Sequence, residues 1–200
     1  MDAELNRRFP GREQQRAADP DELRSAWAAL ERTWAATLER VAAMPPATVD
    51  ESVAGEWSFA QTLRHLVHAT DMWLGRAVLR QEQPFHPIGL TDAATASDEA
   101  SPSTSTTRTT PPYEDVLAAR ADRQRMVGDF VATATPELLA AERPNPHDPD
   151  FPETVLSCLH TILEEEWEHH RYAVRDLDTL AAVTSDSTKG GPHRGDRPRT

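Results

Sequence analysis

The stretch that decides the fold is "ETVLSCLHTILEEEWEHHRYAVRDLDTLAAV", Glu153 to Val183. A helix turns about 100° per residue, so its faces can be assigned by position. With His170 as zero, Leu156, Leu159, Leu163, Ala173, Val174, Leu177 and Ala181 fall within about 60° of it. This is one long amphipathic helix with an apolar stripe. Glu166 lies about 40° from His170 and shares the stripe. Glu164, Glu165, Glu168, Arg171, Tyr172 and Arg175 point mostly outward, Trp167 takes one shoulder, and His169 sits at the margin. A carboxylate and an imidazole four residues apart therefore enter the core together. Both are costly to bury without partners, so each other, a cation or a side chain from another helix must meet them.

Three further segments carry the same periodicity. In the first, Asp19 can cap a helix opened by Pro20, with Glu22 completing a capping box. Leu23, Trp27, Leu30, Trp34, Leu38 and Val41 then form the stripe, and "MPP" stops it. The second starts at Ser58, with Gln61 three residues on, and runs through "FAQTLRHLVHATDMWLGRAVL". The third is "YEDVLAARADRQRMVGDFV", followed by a short helical turn in "TPELLAAE". No strand pattern is present. The expected architecture is all-α, a four-helix bundle, and the long second connection leaves room for a crossover. Residues 1–18 read as an N-terminal extension and 19–183 as the bundle. The Ala-, Ser-, Thr- and Pro-rich segment from Thr91 to Pro112 reads as a flexible insert between the second and third helices. Residues 184–200 read as a disordered tail.

The chain has 200 residues, 38% of them hydrophobic, and a net charge of −12. That charge argues against binding nucleic acid through its phosphates. A single cysteine, Cys158, leaves no intramolecular disulfide framework and favours a reducing compartment. The opening "MDAELNRRFPGREQQ" has no apolar leader region, and no window approaches a membrane span. The expectation is a cytoplasmic protein with no nucleic-acid or membrane partner. Cys158 lies on the side of its helix away from His170 and reads as a small buried or boundary residue, not a nucleophile.

The second helix offers two histidines. His68 faces away from the apolar stripe, whereas His65 is on its shoulder and is the better inward candidate. His65, Glu166 and His170 could form one face of a divalent-metal site with open positions for water, substrate or a thiolate. Residue spacing alone also allows a purely structural Glu–His hydrogen bond. A di-metal carboxylate site would use Glu166-x-x-His169 but needs a second such motif, which is absent. Neither HExxH nor a Gly-rich phosphate loop occurs.

"GEWSFAQTLRHLVHATDMWL" and "LEEEWEHHRYAVRDLDTL" resemble the two signature helices of the DinB-like (YfiT-like) superfamily. Trp57, His65 and Leu66 carry the first motif, and His170 with Arg171 carries the second. The resemblance spans roughly Pro20 to Val183. It implies a four-helix bundle with a divalent metal held by His65, Glu166 and His170. It also implies an activity like that of S-transferases or isomerases that use a low-molecular-weight thiol, mycothiol or bacillithiol, with an electrophilic substrate. Glu166 departs from the commoner three-histidine pattern. A harder, charged ligand keeps Zn, Ni, Mn and Fe all open. His169, Tyr172, Trp57, Trp73 and Trp167 are expected around the pocket, and His86 could reach its mouth from a loop. A metal-dependent hydrolase and a non-enzymatic helical binding or homodimerisation protein are the alternatives.

Overall fold

The computed structural model describes residues 17–91 and 110–189. The core elements are α1 (Pro20–Ala42), α2 (Phe59–Thr70) continued by a π-helical stretch (Asp71–Val78), α3 (Tyr113–Thr133), a short α4 (Pro136–Ala140) and the long α5 (Val155–Lys189). A 3₁₀ turn (Pro46–Asp50) joins α1 to α2. The all-α bundle expected from periodicity is what forms.

The helix starts follow local chemistry. Asp19 accepts from the backbone N–H of Asp21 and Glu22, and Pro20 opens α1. Glu22 does not close the expected box on the cap residue. Its carboxylate takes the N–H of Ala18, one residue earlier, at 2.6 Å. The second box is complete. Ser58 Oγ accepts from Gln61 N at 3.3 Å, and Gln61 Oε1 accepts from Ser58 N at 2.9 Å.

Two expectations are corrected. The fourth bundle helix starts at Val155, because Glu153–Thr154 pair antiparallel with Glu142–Arg143 in a two-residue ladder. So a minimal pair of strands exists where none was foreseen. It clips the loop between α4 and α5, and Val155 N–H continues the contact to the Ala141 carbonyl at 2.9 Å. At the other end α5 runs on to Lys189, through the start of the segment read as a tail. The N-terminal extension up to residue 16, the insert over 92–109 and the tail over 190–200 lie outside the described residues.

The main contacts of α1 are with α3 and α5, and those of α2 are also with α3 and α5. Consecutive helices α1 and α2 therefore sit on one diagonal of the bundle, and α3 and α5 on the other. Leu23, Leu30 and Trp34 from α1, Leu63 and Leu66 from α2, Val116 and Val127 from α3, and Leu159, Ile162 and Leu177 from α5 fill the space between them. Each buried aliphatic side chain contributes about 1.5–3 kcal/mol relative to exposure. The π-helical stretch packs closely on the loop that follows. A Cβ at Gly75 would lie 3.1 Å from both Gln81 Oε1 and Pro84 Cβ, so a larger residue there would push the loop back by a few tenths of an ångström. Asp71 at the start of the stretch is fully buried. Its carboxylate accepts from Arg123 Nε of α3 at 2.5 Å and from His86 N–H at 2.8 Å.

Candidate metal centre at the α2–α5 interface

Along α5 the buried line runs Val155, Cys158, Leu159, Ile162, Leu163, Glu166, Ala173, Leu177. Glu166 is its one acidic member, at 1% exposure. Measured from Glu166, His170 and Trp167 lie about 40° and 100° to one side, His169 and Glu165 about 60° and 100° to the other. The two shoulders meet different helices, and this decides the site.

On one shoulder, His170 faces α1. Its Nε2 is 2.8 Å from Thr37 Oγ1, and its ring stands edge-on to Trp34 at 4.9 Å. Thr37 Oγ1 also lies 3.2 Å from the Thr33 carbonyl. The Thr37 contact engages His170 Nε2 at the α1 interface. Burial lowers the His170 pKa, favouring the neutral ring. Trp167 is edge-on to His170 at 6.4 Å, on the same side.

Glu166 itself reaches across the bundle diagonal. It forms an ion pair with Arg120 of α3, the two side chains being 1% and 3% exposed. Burial pushes the Glu166 carboxyl up from its ordinary value, against the pull of Arg120. The Trp34 indole lies close enough to help lower it. Even so, neither Trp34 Nε1 nor Glu166 Oε1 makes a hydrogen bond of ordinary geometry. The guanidinium and the carboxylate oxygen are in direct contact in the bundle interior. The guanidinium also sits 5.7 Å from the centre of the Trp34 ring.

On the other shoulder, Glu165 and His169 face His65 of α2. His65 Nε2 is 3.2 Å from Glu165 Oε2, and His169 Nδ1 is 3.3 Å from the same oxygen. One ligand atom from each of the three residues lies within 4.8 Å of the others, and among the described residues no other group of three is so arranged. The set His65, Glu166 and His170 expected from the sequence is therefore not brought together. His65 is at the cluster, while Glu166 and His170 are taken by Arg120 and Thr37. The cluster uses the residue before each of them, because α2 packs on the shoulder that carries Glu165 and His169.

The group suits a divalent metal. Two imidazoles and a carboxylate are a donor set that first-row metals accept. His169 Nδ1 donates to the Glu165 backbone carbonyl at 2.9 Å. That contact orients the His169 ring at the cluster, the kind of outer support usual for metal-ligating histidines. Glu165 is ready as an anion. Burial would raise its pKa, but the His65 hydrogen bond and the charges of His169 and His65 outweigh this and lower it. The side chains of His65, Glu165 and His169 are 13%, 32% and 19% exposed, so the group is sheltered yet reachable from solvent.

Trp57 covers the cluster. Its ring is 4.6 Å from His65 and 6.0 Å from His169, and the two imidazoles stack at 4.6 Å. The turn that delivers it uses Ala54 and Gly55 at φ 55° and 77°, a conformation glycine takes without strain. Tyr172 stands edge-on to His169 at 6.3 Å. Trp57 and Tyr172 thus pack against the cluster, and His169 is one of its three converging residues. Trp73 packs instead on His147 at 5.5 Å, and Trp167 on the α1 side. His68 stacks on Phe85, and His86 Nδ1 accepts from Ile88 N–H within its own loop. Cys158 is fully buried, which pushes its thiol up to about 11.

Arg120 was missed from the sequence. Its signal is its spacing, four after Val116 and seven before Val127, the buried positions of α3. On a helix rich in Ala, Arg and Asp, such an arginine reads as surface.

The family model of the DinB superfamily matches residues 29–173. That interval contains Trp57, His65, Arg120, Glu165, Glu166, His169 and His170. Comparisons with curated proteins and with solved structures find no match. No helix among the described residues is long and apolar enough to cross a membrane. A match over most of the chain, on a helical bundle whose second and last long helices meet in a histidine–carboxylate cluster, establishes that the chain belongs to the DinB superfamily.

Proposed function

We propose that the chain is a divalent-metal-dependent enzyme that transfers a low-molecular-weight thiol to an electrophile, with His65, Glu165 and His169 as the ligands. The observation that carries the reading is the convergence of these three side chains within 4.8 Å, partly open to solvent. His65, Glu165 and His169 would hold the metal, which when bound would supply Lewis acidity that lowers the pKa of a thiol or water. Glu165 offsets the cationic charge. The His169 ring is held by the carbonyl of Glu165, and Trp57 screens one side of both imidazoles from water. The chain's own thiol is not the nucleophile, because Cys158 is buried and held protonated up to about 11.

In the transfer the thiol gives its proton to solvent, its sulfur bonds to the electrophilic carbon, and the leaving group departs with its electron pair. Mycothiol and bacillithiol are the cosubstrates that the superfamily resemblance favours. The test is to load the protein with Zn, Mn, Ni or Fe in turn and add either thiol with an alkyl halide electrophile. Metal-dependent thioether formation, lost in His65→Ala, is the expected result. Hydrolysis of ester or amide substrates with no thioether would assign the open position to water. Neither activity with any metal would contradict an enzymatic role.

A further inference from the structure

The two helices that carry the cluster, α2 and α5, are each gripped by an arginine of α3. Arg120 holds Glu166, one residue from Glu165 and three from His169. Arg123, one turn further along α3, holds Asp71, six residues beyond His65 on the continuous α2 run. Both carboxylates are buried, at 1% for Glu166 and 0% for Asp71.

We propose that Arg120 and Arg123 are positioning residues that set α2 and α5 in the register at which His65, Glu165 and His169 converge. This rests on the metal reading above. Apolar contact is non-directional, and the buried line of α5 spreads over about 140° of its circumference, so burial alone defines the rotation of α5 loosely. An ion pair joins two named atoms, and fixing register is the best-attested use of buried polar groups. With Glu166 aimed across the diagonal at α3, Glu165 and His169 turn towards α2, and His170 turns towards α1. A rotation of α5 by one residue's worth of angle, about 100°, would exchange these roles. On α3, residues three apart share a face, so one rigid helix sets both partners.

The test uses the full chain and the double variant Arg120→Met with Glu166→Leu, which replaces the pair by apolar side chains of similar volume. Zn(II) and Co(II) affinities are measured by competition titration, beside the melting temperature. The proposal expects a folded protein melting near the parent that binds metal about 10- to 100-fold more weakly, the usual cost of losing an outer-shell support. Glu166→Asp, which keeps the charges but shortens the reach, serves if the double variant does not fold; it too binds metal more weakly. Parent affinity in whichever of these variants folds overturns the proposal. If the parent itself takes up no metal, the metal reading fails, and crystal structures of the metal-free parent and variant decide the register question. His65 and His169 still stacked at the parent separation of 4.6 Å would overturn it, and their parting would support it.

Discussion

Arg120→Ala lowers the unfolding free energy by about 3–5 kcal/mol, the range for removing one partner of a buried ion pair. The cost comes less from the lost attraction than from Glu166, a polar group left without its partner and nearly inaccessible in the centre of the bundle. For a chain of this size the melting temperature should fall by about 10 °C. Glu166→Ala strands the guanidinium and should behave alike. Replacing both partners by apolar residues should recover most of the loss, because desolvating the pair already offsets much of its attraction. By contrast, Arg175 and Glu56 form an ion pair in the open, with side chains 48% and 53% exposed, and its removal should change little. Chemical denaturation of the four variants checks the ordering. An Arg120→Ala protein as stable as the parent would mean that the pair is not the polar anchor of this core.

Metal should stabilise the folded protein through mass action. At a free concentration 100 times the dissociation constant, the gain is about 2.7 kcal/mol. That raises the melting temperature by roughly 5–10 °C, and a chelator reverses it. Glu165→Ala removes the anionic ligand and should abolish the shift. A melting temperature indifferent to both metal and chelator is what a purely structural histidine–carboxylate cluster would produce.

Much of the fold is legible in the chain. The capping box at Ser58 and Gln61, the Asp19 cap with Pro20, and the 3.6-residue stripes place the four bundle helices within a few residues. The wheel for α5 also puts Glu166 inward, where it is found at 1% exposure. What a wheel cannot say is which neighbour lies on which shoulder. That depends on α1 and α2 occupying one diagonal, a property of packing and not of α5 itself. Hence Glu165 and His169, read as surface and margin, converge with His65, while Glu166 and His170 satisfy Arg120 and Thr37. The π-helical stretch after Thr70 escapes for a related reason. It accompanies close packing of Gly75 on the 81–84 loop and burial of Asp71 between α3 and His86, contacts with no local signature.

The most direct measurement is the bound metal per chain, by elemental analysis of untagged protein, in His169→Ala and His170→Ala beside the parent. The two substitutions remove adjacent imidazoles from the same helix turn, so their difference reports the register of the site. The account predicts near-stoichiometric metal in the parent and in His170→Ala, and loss of it in His169→Ala. Metal retained in His169→Ala and lost in His170→Ala would contradict it, and would return the site to Glu166 and His170.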